Sequence, residues 1–259
     1  MKIGFIGAGK MAEALIKSII SAEITGKNSI YASDISKERL SYIEQETGIN
    51  TAANKEILDS DMIILAVKPQ NMVEVLEELQ DLNNKLTVTI AAGIKISLIE
   101  KYNARVIRVM PNTPCLVGEM AAAYSLGKNI TKEDEEIVNK ILNSAGKAFK
   151  VKEESLDAVT ALSGSGPAFI AYLIKSMAEA AEKQGLDKDT ALKLAEQTCL
   201  GTAKLLIEKN LGPEELIKIV SSPGGTTIAG REVLEKSDIK DIINKTIEAA
   251  AKRSKELGK

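Results

Sequence analysis

Short, mainly apolar runs recur through the first part of the chain: Ile3-Gly4-Phe5-Ile6, Ser29-Ile30-Tyr31-Ala32, Met62-Ile63-Ile64-Leu65-Ala66, Thr87-Val88-Thr89-Ile90 and Arg105-Val106-Ile107-Arg108-Val109. Runs that stay apolar instead of alternating, separated by amphipathic stretches of helical length, predict parallel strands covered on both faces. Ala121-Ala122-Ala123-Tyr124-Ser125-Leu126 and Ala148-Phe149-Lys150-Val151 add two strands around a helix at 131–143, entered through Thr131 and acidic residues. This is the pattern of a doubly wound α/β sheet.

From about Leu156 the strand pattern ends. Ala, Leu, Ile, Glu and Lys recur at helical spacing over 156–184, 188–209, 213–219, 226–236 and 238–257, with breaks at Gly185, Gly212-Pro213, Pro223-Gly224-Gly225 and Ser237-Asp238. The expected organisation is an α/β domain over 1–154 and an all-helical domain over 155–259. A helical domain of about 100 alanine-rich residues is too small to bury its apolar faces alone. Pairing with a second copy is the expected remedy, and a compact monomeric bundle is the alternative.

Charge narrows the function classes. The chain has 259 residues, 34 basic and 36 acidic, and a net charge of -2. With no basic run, and with aromatics at 3% and no tryptophan, a nucleic-acid surface is not expected. The two cysteines, Cys115 and Cys199, lack metal-ligand spacing, so no disulfide framework and a reducing compartment are expected. Residues 1–6 lack the pattern of a signal peptide, and no apolar run reaches the ~18 residues of a membrane span. The expectation is a cytoplasmic chain with no membrane contact. Histidine is absent, which removes the commonest general base and metal ligand; no metal site is expected.

The run Lys2–Ile6 leads directly into Gly7-Ala8-Gly9-Lys10-Met11-Ala12, a G-x-G-x-x-A turn between a strand and a helix. Gly7 allows the tight turn, Gly9 the close approach of a pyrophosphate, and Ala12 the helix–strand contact. A nicotinamide dinucleotide on a Rossmann-like sheet is therefore expected, bound by Ile6, Gly7, Ala8, Gly9, Lys10 and Met11. The second strand ends at Ser33-Asp34. Asp34 either accepts from the adenosine ribose, which favours NAD, or caps the following helix, while Ser33, Ser36, Lys37 and Arg39 suit a 2′-phosphate. Later strands end in Ala66-Val67-Lys68-Pro69, Ala91-Ala92-Gly93 and Met110-Pro111-Asn112-Thr113-Pro114, small or polar turns on the cofactor side. Lys68 is either a cofactor contact or a surface lysine. Cys115 reads as a small buried neighbour, because no base accompanies it.

Near the other end, Val220-Ser221-Ser222-Pro223-Gly224-Gly225-Thr226-Thr227-Ile228-Ala229-Gly230 stops one helix and opens another. Free N–H groups at a helix start favour an anion, and two threonines supply hydroxyls. The plain alternative is a helix–helix connection.

Taken together, Ile6–Ala12, Leu65–Pro69, Val109–Pro114, Asp157–Ala168 and Ser221–Gly230 occur in an order that resembles pyrroline-5-carboxylate reductases across essentially the whole chain. The resemblance implies an α/β, Rossmann-like domain and a helical dimerisation domain. It also implies dimers or assemblies of dimers, commonly decamers, with NADPH as the usual reductant and NADH as the alternative. The implied reaction reduces the cyclic imine 1-pyrroline-5-carboxylate to L-proline, the last step of proline biosynthesis. In this reading the N–H groups around Gly224, Gly225 and Thr226 hold the substrate carboxylate, Ser222 also binds the substrate, and Thr227 bonds the ring nitrogen as the catalytic residue. Glu153 reaches the substrate, or else is a solvated charge in Lys152-Glu153-Glu154. Asn54 approaches the adenosine ribose or its 2′-phosphate, and Asn112 and Ala91–Gly93 line the nicotinamide end. A rival β-hydroxyacid dehydrogenase would carry a catalytic lysine on the long helix, where the nearest is Lys175. A cofactor sensor without turnover is a second rival, and it would not need the threonine-bearing turn.

Overall fold

The computed structural model describes residues 1–258. Eight strands form one sheet in the order β3-β2-β1-β4-β5-β6-β7-β8. They are β1 Ile3–Ile6, β2 Ile30–Ser33, β3 Asn50–Thr51, β4 Met62–Leu65, β5 Leu86–Thr89, β6 Arg105–Met110, β7 Met120–Leu126 and β8 Gly146–Lys150. Between them run helices α1 Lys10–Ser21, α2 Lys37–Thr47, α3 Asn54–Ile57, α4 Met72–Leu79, α5 Ile96–Ile99 and α6 Lys132–Ser144.

The continuous apolar runs have a direct cause. Ile3, Phe5, Met62, Ile64, Val88, Ile107 and Val109 point to one face, against Leu15, Ile16 and Ile19 of α1 and Val138, Ile141 and Leu142 of α6. Their neighbours Ile6, Ile63, Leu65 and Val106 point to the other, against Ile57 of α3, Met72, Leu76 and Leu79 of α4, and Ile99 of α5. Both faces are thus buried. Each such side chain contributes about 1.5–3 kcal/mol of hydrophobic burial.

Two details depart from the expected pattern. β7 runs antiparallel to β6, since the nine residues 111–119 between them hold only the short 3-10 turn Thr113–Val117 and no crossover helix. The two-residue strand β3, too short and polar to show a period, pairs with β2 at the sheet edge. The capping expectation for α6 is met: Thr131 Oγ1 accepts from Asp134 N–H at 3.1 Å, and the Asp134 carboxylate accepts from Thr131 N–H at 3.0 Å.

The expected helix over 156–184 is interrupted. It comprises α7 Leu156–Val159, a π turn over Thr160–Gly164, and α8 Gly166–Glu182. Ser165 N–H donates to Thr160 O at 2.8 Å, the wider ring of a π turn. Gly164, Gly166 and Pro167 make that local rewinding available.

The chain divides into two compact units, Met1–Ser165 together with the segment from Ala249 on, and Gly166–Glu248. Leu156 and Ala161, both fully buried, fall in the first unit. The second unit holds α8, α9 Lys188–Glu208, α10 Pro213–Ile219, α11 Thr226–Lys236 and the first half of α12 Ile239–Leu257. Its buried apolar side chains, among the described residues, are only Ala178, Ala191, Ala195 and Leu216. Tyr172, Ile207 and Val233 are 70%, 76% and 69% exposed. Alanine contacts alone cannot hold such helices together.

Candidate active site

The first unit places the glycine-rich turn at the point where the sheet order reverses, between β1 with β2 on one side and β4 on the other. Gly7 has φ +96°, and a β-carbon there would come within 2.8 Å of the Ala66 carbonyl. Its N–H donates to Ser33 O at 2.8 Å. Only glycine fits this junction. Gly9 caps α1 without a side chain, and a β-carbon on it would meet open space. The first N–H groups of α1 therefore face an unobstructed approach suited to a pyrophosphate. Ala12 is fully buried against the strand.

The loop is stiffened from below. Asp34 accepts from Ala8 N–H at 2.8 Å and from Ser36 N–H at 2.9 Å. It does not cap α2: Ser36 does, accepting from Arg39 N–H at 3.1 Å. One Asp34 oxygen is thus held by the glycine loop and the other by the backbone just after Asp34 itself. Arg39 donates to Ala8 O and pairs with Glu13 at 2.6 Å, while Lys17 holds the other Glu13 oxygen at 2.7 Å. Burial opposes ionisation of Glu13, but hydrogen bonds from Lys17 and Arg39 outweigh it and lower its pKa from 4.5 to about 2. Lys10, Ser36, Glu38, Arg39 and Tyr42 line a surface hollow of about 420 Å³ beside the loop. The Tyr42 ring lies 4.8 Å from the Arg39 guanidinium.

The other expected cofactor residues differ in how free they are. Ile6 and Ser33 are buried, and the Ser33 hydroxyl donates to Asn54 Oδ1 at 2.7 Å. Asn54 donates in turn to Glu78 at 2.6 Å. Met11 is half-buried, while Lys10 and Lys68 are exposed. Val67 and Pro69 continue from β4 into a short turn. Ala91 N–H donates to Thr89 Oγ1 at 3.3 Å, and Gly93 has φ +78°. Asn112 is 7% exposed, with its amide donating to Ser163 O at 3.1 Å and its oxygen accepting from Ala121 N–H at 2.9 Å. It thus clamps the π turn to the start of β7. Cys115 is buried, and desolvation pushes its thiol up to about 11, which makes it a packing residue.

Glu153 is no loose surface charge. Its Oε1 accepts from Ile96 N–H at 2.8 Å and from Arg108 at 3.1 Å, and Arg108 is 7% exposed within the sheet. Both bonds fall on Oε1, which leaves Oε2 for a ligand.

In the second unit, Gly224 turns the chain at φ +70° and Gly225 N–H donates to Ser222 O at 3.0 Å. Gly225 caps α11 without a side chain, so the N–H groups of Thr226, Thr227 and Ile228 have no capping partner. Ser222, Gly224, Thr226 and Thr227 are exposed. Arg231, one turn further along α11, donates to Ser221 Oγ at 3.3 Å and braces the turn from behind. Lys175 pairs with Glu179 on the exposed face of α8 at 3.7 Å.

Sequence reasoning missed Glu13, Arg108 and Arg231. The first two had a legible sign: Glu13 stands four residues before Lys17, and Arg108 is a charge inside an apolar strand run. Arg231 had none, since an arginine on a polar helix is ordinary. Among the described residues there is no cluster of three metal-ligating side chains, and no helix is long and apolar enough to cross a membrane.

Comparison with known proteins agrees with this arrangement. Residues 153–257 match the family described as pyrroline-5-carboxylate reductase dimerisation, and residues 2–93 match NADP oxidoreductase coenzyme F420-dependent. A pyrroline-5-carboxylate reductase of Methanosarcina acetivorans is 43% identical over 100% of this chain and 98% of its own length. One from Arabidopsis thaliana is 41% identical over 99% of this chain and 95% of its own. Among solved structures, a pyrroline-5-carboxylate reductase from Coxiella burnetii superposes with a TM-score of 0.94 at 35% identity, covering 100% of this chain and 98% of that one. A Plasmodium falciparum pyrroline carboxylate reductase with NADP bound gives 0.87 at 34% identity, with coverage of 100% and 98%. A glycine turn made for a dinucleotide, a helical unit that cannot bury its own faces, and full-length likeness to these enzymes lead to one conclusion: the chain belongs to the pyrroline-5-carboxylate reductase family.

Proposed function

We propose that the chain reduces 1-pyrroline-5-carboxylate to L-proline, with NADPH as the preferred reductant and NADH as the lesser one. The observation that carries this reading is the capless start of α11, an exposed row of free N–H groups flanked by Thr226 and Thr227. A carboxylate is the ligand such a row attracts. Gly224 and Gly225 keep side chains out of its way, and the Ser222 hydroxyl lies beside them.

A bound reduced nicotinamide supplies the hydride. Added to the carbon of a protonated C=N bond, that hydride would leave the ring nitrogen with its proton and the π electron pair, as the amine. A protonated imine is already electrophilic, so positioning and charge neutralisation are what the protein has to provide. The Thr227 hydroxyl bonds the ring nitrogen. Glu153, with Oε1 fixed by Arg108 and Ile96, offers Oε2 to the iminium or to a proton-carrying water. The N–H groups of α1 hold the pyrophosphate, with Val67, Lys68, Pro69, Ala91, Ala92, Gly93 and Asn112 bounding the rest of the dinucleotide. NADPH is favoured by Arg39, Lys10 and Ser36 around the hollow, and by an Asp34 carboxylate already engaged with Ala8 and Ser36. The working form is a dimer or a decamer built from dimers, in the cytoplasm.

The test is initial-rate oxidation of NADPH and of NADH with 1-pyrroline-5-carboxylate, with L-proline identified as product. The expected result is turnover with both and a higher kcat/KM for NADPH. Cofactor binding without any turnover would overturn the reading in favour of a sensor. Oxidation of 3-hydroxy acids with no imine reduction would overturn it in favour of a hydroxyacid dehydrogenase.

A further inference from the structure

The end of α12 leaves the helical unit and joins the first one. There Ser254, 5% exposed, donates to Asp157 Oδ1 at 2.6 Å. One helical turn on, Gly258 meets Gly93, the last residue of the turn that follows β5. A β-carbon on Gly93 would come within 3.2 Å of Gly258 Cα and N, and one on Gly258 within 2.9 Å of Gly93 O. Backbone lies on backbone, with no side chain to yield.

The geometry points to α12 as a positioning strut for the turn Ala91-Ala92-Gly93. The turn needs such support. Gly93 has φ +78°, a conformation that other residues rarely adopt and that glycine leaves readily. From the sheet side it is held by Thr89 through Ala91 N–H and by Glu153 through Ile96 N–H. Gly258 closes the remaining side, and the buried Ser254–Asp157 bond fixes where Gly258 falls. Asp157 lies in the first turn of α7, three residues before the π turn that Asn112 clamps. One helix end thus ties together two segments on the cofactor side of the sheet.

This inference rests on the assignment of Ala91–Gly93 to the nicotinamide dinucleotide. It concerns a segment that touches no reacting atom, so its effect is on cofactor binding. The test is calorimetric titration of NADPH into the full chain and three variants, Gly258→Val, Ser254→Ala and Ala92→Leu, alongside thermal unfolding and solution mass. Gly258→Val and Ser254→Ala are expected to weaken NADPH binding by about three- to tenfold with unaltered mass, and to leave the KM for 1-pyrroline-5-carboxylate unchanged. A fourth variant, Ser254→Thr, which retains the hydroxyl, is expected to bind NADPH as the parent does. If Ala92→Leu weakens NADPH while both α12 variants bind it as the parent does, the strut is overturned and the cofactor turn stands. If none of the three weakens it, both assignments fall. Equal loss of NADPH and imine affinity in the α12 variants would also overturn the strut, since it would mark general loosening.

Discussion

Thr227 stands second in α11, exposed, beside N–H groups that no side chain caps. Its hydroxyl is the group proposed to bond the ring nitrogen, and Thr227→Ala should lower kcat/KM by a factor equivalent to about 1–3 kcal/mol, the scale of one polar contact. Steady-state kinetics at saturating NADPH check this, and an unaltered kcat/KM would remove the residue from the reaction. Glu13 makes a different prediction. Its folded pKa of about 2 lies below the ordinary 4.5, so its contribution to stability is full above that ordinary value and is lost as pH falls toward 2. The shift corresponds to roughly 3 kcal/mol. Glu13→Gln should therefore lower the urea midpoint at neutral pH and flatten its decline between pH 4.5 and 2. A parallel acid profile in the variant would show that the Lys17–Glu13–Arg39 network does not carry that linkage.

At the scale of elements, the Arg108–Glu153 pair joins β6, the residues before α7 and the start of α5. Arg108 is buried in the sheet, so removing its partner leaves an uncompensated charge. Glu153→Ala should cost about 3 kcal/mol of stability. Replacing both, as Arg108→Met with Glu153→Ala, should recover part of that loss, because an apolar side chain needs no partner. Equilibrium unfolding of the single and double variants decides the matter; a double variant less stable than Glu153→Ala alone would contradict the burial argument. The same pair shows how far the sequence could be read. The run Arg105–Val109 marked a strand; in Lys152-Glu153-Glu154 the residues alone read as a solvated charge, and only the family resemblance singled out Glu153. Which of those carboxylates turns inward depends on Arg108, 45 residues away, and no local pattern carries that information.

On the scale of the whole molecule, the helical unit buries little beyond alanine while Tyr172, Ile207 and Val233 stand in solvent. Apolar surface of that extent calls for a second copy, in accord with the match of residues 153–257 to a dimerisation family. Light scattering should give a mass of at least two 27.8 kDa chains, unchanged on dilution through the assay range. A monomeric mass with full activity would refute a dimeric working form. Strands, helices and their types were legible because burial on both sheet faces writes continuous apolar runs and helix packing writes a 3.6-residue period.

By itself the sequence determined seven of the eight sheet strands, the glycine turn, the alanine-rich helices and the Pro-Gly-Gly-Thr-Thr turn, since each is specified by neighbours within a few residues. Only the tertiary structure decided what their polar groups do. It drew Asp34 back to Ala8 and left the helix cap to Ser36, paired Glu153 with Arg108, spent both ends of Asn112 on the chain itself, reversed β7, and brought Gly258 onto Gly93. These are contacts between residues far apart in sequence. A side chain's partner there is set by how the sheet and helices pack, a consequence of all the burial at once and of no segment alone.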